Sequence, residues 1–212
     1  MSTPMLSEMA TDALAPAPTK RDQQRLETRE LLFELAVAEF RRSGTAKARI
    51  RDIVDAAGVV PGTFYFHFPT KDHVIFELWL RNAARLVELL REAEHSDTPP
   101  RTTADFLHSL AEGLLRVEAE VGDAGLLRDS IAIVLRPPEG VDLSENPIGD
   151  ILVDFLAEAE TRGEFQSELA ATELARVLLT SILGSLAASS DDPIDRRRDL
   201  RRTIDFFLKA LR

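Results

Sequence analysis

The sequence predicts an all-α protein, and three observations carry that expectation. Apolar residues recur at helical spacing along the 212 residues, while alternating, strand-like runs are missing. Fifty-six residues are Leu or Ala, both strong helix formers. Proline and glycine cut the chain near Ser43–Gly44, Gly58–Gly62, Pro69, Pro99–Pro100, Gly122–Gly125, Pro137–Pro147, Gly163 and Asp191–Pro193, and about nine helices fit between the cuts.

Composition narrows the class. With 44% hydrophobic and 29% charged residues, a packed core is expected. The chain has no cysteine, which excludes disulfides, thiolate metal sites and a cysteine nucleophile. Residues 1–20 hold Pro4, Pro16 and Pro18 among small residues and read as a mobile tail, without the basic start and apolar block of a signal peptide. The longest nearly uncharged stretch, Val177–Ser190, is shorter than a membrane span and contains Thr180, Ser181, Gly184 and Ser185. No membrane association is expected, and the cytoplasm is the expected location.

Taken in order, the first helix carries Leu32, Leu35, Ala36 and Phe40 on one face and ends at Ser43 and Gly44. Ile50, Ile53, Val54 and Ala57 repeat the pattern in a short second helix. Gly58 follows, where a left-handed residue reverses the chain, and Val59 can anchor the turn in the core. Pro61 suits the first position of a third helix of about two turns, Pro61–Phe68, in which Phe64 and Phe68 should pack inward. Two short helices across a glycine turn, braced by a longer one, form a helix-turn-helix over about 48–67, whose second short helix enters the major groove. The segment Lys20–Asp72 holds ten basic and eight acidic residues, a net of +2, so the rest of the chain sums to −12. Such asymmetry suits a nucleic-acid-facing unit on an acidic body.

The residues Gly44, Ile50-Arg51-Asp52-Ile53-Val54, Ala57-Gly58-Val59, Pro61-Gly62-Thr63-Phe64-Tyr65-Phe66-His67-Phe68 and Thr70-Lys71-Asp72 together resemble the TetR family of bacterial transcription regulators, over roughly Leu26 to Trp79. The resemblance implies a DNA-binding domain over 21–80 and an effector-binding, dimerising domain over 81–212. It implies that Pro61, Gly62, Thr63, Tyr65, His67 and Lys71 meet bases or phosphates of a double-stranded operator. The chain departs from the family pattern at three places. Val60 stands where a capping hydroxyl is usual, Pro61 where a lysine or small polar residue is common, and Ala48-Arg49 where a Thr pair is usual. Pro61 can offer a base only an apolar contact, such as with a thymine methyl, and Arg49 adds a cation for phosphate or guanine.

In the body, a fourth helix from Lys71 to about Glu94 presents Ile75, Leu78, Trp79, Asn82, Leu86 and Leu89 inward. Phe106, Leu107, Leu110, Leu114 and Leu115 mark a fifth helix. Leu126, Leu127, Ile131, Val134 and Leu135 mark a sixth, and Pro147–Arg162 a seventh. A pocket among the fourth to eighth helices would be lined by Trp79, Phe106, Leu110, Leu114, Ile131, Leu135 and Phe155, which suits an apolar or amphipathic effector. Arg128, with Arg116, Arg136 and His108, could meet an anionic group on it, although each also fits a surface ion pair. Leu174, Val177, Leu178, Ser181, Ile182 and Ser185, with Ile204, Phe207, Leu208 and Leu211 of the last helix, form the expected homodimer surface; folding onto its own body is the alternative for this hairpin. Arg196, Arg197, Arg198, Arg201 and Arg202 alternate with aspartates and read as a solvated, internally paired face.

No catalytic motif is present: neither a G-x-S-x-G elbow, a phosphate loop, H-E-x-x-H nor a dinucleotide fingerprint occurs. Asp150, Asp154 and Glu158 share a helix face, but no histidine or further carboxylate stands beside them, so neither metal nor cofactor is expected. The expectation is a dimeric, ligand-responsive repressor, with an activator or a helical interaction module of the same fold as the alternative.

Overall fold

The computed structural model describes residues 19–137 and 147–211. The expected tail therefore lies outside the described residues, except for its last two positions. Those two belong to the first helix: Thr19 caps it and Lys20 begins it.

Nine helices are described: α1 (Lys20–Ser43), α2 (Ile50–Ala57), α3 (Pro61–His67), α4 (Lys71–Glu94), α5 (Thr103–Val121), α6 (Ala124–Leu135), α7 (Pro147–Thr161), α8 (Ala171–Ala188) and α9 (Pro193–Ala210). Local chemistry sets many of their ends. Thr19 with Asp22, and Thr102 with Asp105, form reciprocal capping boxes on α1 and α5. Asp123 and Asp192 accept first-turn N–H groups of α6 and α9. Gly58 (φ 67°, ψ 30°) and Gly122 (φ 68°, ψ 13°) stop α2 and α5 in the left-handed conformation that a side chain would disfavour.

The helices enclose two cores. The smaller joins Leu32, Ala36 and Phe40 of α1, Ile53 and Val54 of α2, and Phe64 with Phe68 of the α3 segment. The larger joins α4 to α9 around Leu107, Leu110, Ile131, Leu152, Leu178, Ile182 and Ile204. Two helices serve both cores. Val74, Ile75 and Leu78 of α4 pack in the small core, whereas Trp79, Ala83 and Leu86 pack in the large one. Leu126 of α6 packs in the small core, with Ile133 against it, and Leu127, Ile131 and Val134 face the large one.

Polar contacts reinforce the junction. The Arg81 guanidinium of α4 donates to both carboxylate oxygens of Glu30 on α1 (2.5 and 2.6 Å) and to Glu77 (2.6 Å), and lies 3.8 Å from the centre of the Phe33 ring. Arg29 pairs with Glu77.

The arginine run of α9 departs from the sequence reading at Arg196, which is buried, and at Arg197 and Arg201, whose partner is Glu112 of α5 and not an aspartate of their own run. Arg197, Arg198, Arg201 and Arg202 are exposed, with carboxylate partners. Arg196 is 1% exposed; it pairs with Glu118 of α5 and donates to the carbonyls of Ser190 (3.1 Å) and Leu186 (3.4 Å). It falls one turn before Leu200 and two before Ile204, on the buried stripe. Among the described residues, α8 alone has the length and mean hydropathy (1.3) of a membrane span, and it sets Leu174, Leu178, Ile182, Leu183 and Leu186 into the large core.

Candidate nucleic-acid interface

Helix α3 has two unlike faces. Phe64 (0% exposed) and Phe68 (1%) pack inward, one helical turn apart, with ring centroids 5.8 Å apart. Opposite them, Pro61, Gly62, Tyr65 and Phe66 are exposed, with Val60 exposed just before the helix; Thr63 and His67 are half-buried. The outward face therefore carries a phenol and apolar surface. Lys, Arg, Asn, Gln, Asp and Glu are all absent from α3. Bidentate reading of guanine or adenine by α3 side chains is thus excluded, which leaves hydroxyl, imidazole and methyl-type contacts.

Phe66, which sequence reasoning placed in the motif without a role, is 70% exposed, and its ring lies 5.8 Å from the Arg25 guanidinium. The signal was present, because a residue two positions from Phe64 points to the opposite side of a helix. Arg29 lies 4.5 Å from the Phe68 ring. These two α1 arginines sit over the rings on either side of His67 in the sequence, and the His67 ring packs edge-on against Phe66 (5.0 Å). Burial, then the positive charges of Arg29 and Arg25, hold the His67 imidazole below its usual pKa, so it is neutral at pH 7.

Gly62 is helical, and a Cβ built on it meets nothing within 4 Å. The fold itself does not require a glycine there. Val60, the residue before α3, offers no side-chain cap, and Arg49 likewise leaves α2 uncapped and is exposed with Lys47 and Arg51.

The structure gives Lys71 an internal role. Its ammonium donates to the carbonyls of Thr45 (2.6 Å) and Ala48 (3.2 Å) and fastens the α1–α2 loop to the start of α4. Sequence alone could not show this, because the partners are main-chain atoms 23 to 26 residues away.

In the body, Trp79, Leu114 and Ile131 line a small, largely apolar cavity of about 20 Å³ with Asn82, Leu86 and Leu127 among its other walls. The remaining expected pocket residues lie elsewhere. Leu110 is wholly buried core, and Phe106 stacks on Phe155 at 3.8 Å, a closed contact. Leu135 is 49% exposed at the end of α6. The expected polar handles face outward. Arg128 pairs with Asp191, Arg116 with Glu120 (3.5 Å) and His108 with Asp205 (3.8 Å), while Arg136 is exposed. Asp150, Asp154 and Glu158 are exposed on α7.

The expected dimer stripe divides in two. Leu174, Leu178, Ile182, Ile204 and Phe207 are buried in the chain's own core, and Leu208 and Leu211 are half-buried against it. The largest apolar side chains turn inward because they fill the space left by α5 and α7. Val177 is exposed, Ser181, Gly184 and Ser185 are half-buried, and Phe206 of α9 is 72% exposed.

Residues 32–78 match the family model described as bacterial regulatory proteins, tetR family. The probable acrEF/envCD operon repressor of Escherichia coli K12 is 42% identical over 67 residues, 32% of this chain and 30% of that protein, so the chain matches under a third of that repressor's length. The HTH-type transcriptional regulator UidR of Escherichia coli K12 is 24% identical over 164 residues, 76% of this chain and 80% of UidR. The crystal structure of Thermus thermophilus FadR, a TetR-family transcriptional repressor in complex with lauroyl-CoA, shares the fold with a TM-score of 0.71 over 87% of this chain and 95% of that one, at 22% identity.

Proposed function

We propose, from the match of residues 32–78 to the tetR family of bacterial regulatory proteins, that this chain is a member of that family, a dimeric, ligand-responsive DNA-binding regulator that acts as a repressor. The observation that carries the reading is the outward face of α3, where Pro61, Gly62, Tyr65 and Phe66 stand exposed on a helix-turn-helix whose other face is fully packed. Tyr65, Thr63 and His67 supply hydrogen bonds to phosphate or base edges. Val60, Pro61 and Phe66 supply apolar contact of the kind that thymine methyl groups accept. Arg49 and Lys47, exposed at and before the start of α2, would add phosphate contacts.

Two such heads, about 34 to 36 Å apart in a homodimer, would read a near-palindromic site. The outer face of the α8–α9 hairpin, with Val177, Ser181, Gly184, Ser185 and Phe206, is the surface for the second copy, since its small residues let helices approach closely. The protein would then work in the cytoplasm, on the nucleoid.

Release follows from α6. Its Leu127 and Ile131 wall the cavity, and Leu126, one residue away, is locked into the core beneath the reading helix. A small molecule that expands the cavity displaces α6, and with it the head. The shift is limited to the effector's differential affinity for the two arrangements. No turnover of the effector is part of this scheme.

Selection of random duplex DNA by the full-length protein, sequenced at two salt concentrations, tests the reading. An enriched inverted repeat whose occupancy falls steeply with salt is the expected result. No enrichment at either salt would refute it.

A further inference from the structure

The body cavity holds two polar groups with no partner. The indole Nε1–H of Trp79, a side chain 4% exposed, and the amide Nδ2 of Asn82 are both buried and make no hydrogen bond. They stand three residues apart on α4, so both project into the same cavity, whose other described walls are Ala, Leu, Ile and Val. Buried donors are nearly always paired, and an orphaned pair in an apolar setting marks a place where an acceptor belongs. Among the described residues no charged side chain lines the cavity, and Arg116, Arg128 and His108 are all engaged with carboxylates on the outside. A carboxylate or ammonium brought into it would lie buried without a counter-charge.

We infer that the effector is a neutral, largely apolar molecule with a carbonyl-type oxygen, which accepts from Trp79 and Asn82 while its hydrocarbon part pushes apart Leu86, Leu114, Leu127 and Ile131. This rests on the reading of the body as an effector-binding unit, and it replaces the anionic effector that the surface arginines suggested. The indole nitrogen can only donate, so the ligand atom facing it must accept. The present cavity has room for about one water molecule. Binding therefore requires expansion against α6, which is the movement the release scheme needs.

Trp79 is the chain's single tryptophan, so its fluorescence reports on this cavity alone. Full-length protein is titrated with 2-decanone, decanoate, decylammonium and decane, four probes of similar length and different head groups. Saturable change with 2-decanone, at least about tenfold tighter than with decanoate or decylammonium, is expected. Asn82→Ala should weaken 2-decanone about five- to tenfold and leave decane unchanged. Trp79→Phe, read by the ligand-induced rise in melting temperature, should do the same, and Asn82→Leu serves if the alanine variant does not fold.

Tighter binding of either charged probe would overturn the inference. So would an unchanged preference for ketone over decane in folded variants, or no saturable response to any probe. The DNA selection is run without probe. Ketone binding as described with no selected DNA would therefore refute the regulator reading, and selected DNA with no ketone preference would refute this inference alone.

Discussion

Arg196→Met isolates the one internal cation of the α9 arginine run. In the native chain its guanidinium is 1% exposed, and its partner Glu118 retains 15% of its side-chain exposure. Removing one member of a buried pair costs about 3–5 kcal/mol, because the other is left desolvated and unpaired. Glu118 keeps some contact with water, which places the cost near the lower end, at about 3 kcal/mol. Loss of the donors to Ser190 and Leu186 adds on the order of 1 kcal/mol. At roughly 2–4 °C per kcal/mol for a chain of this size, the melting temperature should fall by about 8–16 °C. Arg197→Met, which removes an exposed pair with Glu112, should cost under about 1 kcal/mol. The double variant Arg196→Met/Glu118→Leu should regain most of the loss, since an apolar pair needs no desolvation of charge. The assay is urea unfolding at one fixed protomer concentration, because a dimer's stability depends on concentration. An Arg196→Met cost below about 1 kcal/mol, or a double variant no better than the single one, would refute the reasoning.

Gly62→Ala should leave folding unharmed, or raise stability by about 0.5–1 kcal/mol, because the new methyl meets nothing within the protein. The same methyl should weaken operator binding by about 1–3 kcal/mol if backbone and DNA approach closely there; thermal melting and DNA titration on one sample read both effects. Arg49→Ala should reduce the slope of log affinity against log salt by about 1. Lys71→Met should leave that slope unchanged and lower stability by about 1–3 kcal/mol, since it strands the loop carbonyls of Thr45 and Ala48. His67 in the free protein has a pKa depressed below 6.5, so it binds a proton less readily than in the unfolded chain, and folding stability declines as pH falls through about 6.5. A DNA phosphate beside it would raise that pKa. Operator binding should then take up a proton and strengthen as pH falls through the interval between the free and bound values. His67→Gln should abolish this dependence in fluorescence anisotropy titrations.

The parts of the fold that local chemistry decides were legible in the sequence. The bounds of α2 and its reversal at Gly58 followed from four apolar positions and one glycine, and the inward pair Phe64 and Phe68 followed from helical spacing. Tertiary context decided the rest. The α8 and α9 stripes announced burial but not against what, and their large side chains fill the chain's own core. Of the expected stripe Val177 is exposed, and Ser181 and Ser185, noted in the sequence with Gly184 as permitting close approach, are half-buried. Five α9 arginines look alike in the sequence until the register of Leu200 and Ile204 singles out Arg196. Trp79 and Asn82 were both on the expected inner stripe of α4. That their N–H groups would find no partner depends on what α5, α6 and α8 bring opposite them.

The neighbours Leu126 and Leu127 belong to different cores, and so do Leu78 and Trp79. The reading head is therefore not a cassette. A chimera that grafts another protein's first 80 residues onto this body would inherit Leu126 and Ile133 as foreign plugs in a core shaped for different side chains, and a head excised at residue 80 would open a hole where Leu126 sits. Heads and bodies can be recombined only as matched pairs, or with α6 recut to fit. Residues facing away from the seam are thus free to change independently in the two units, while the seam between them must change by compensated steps.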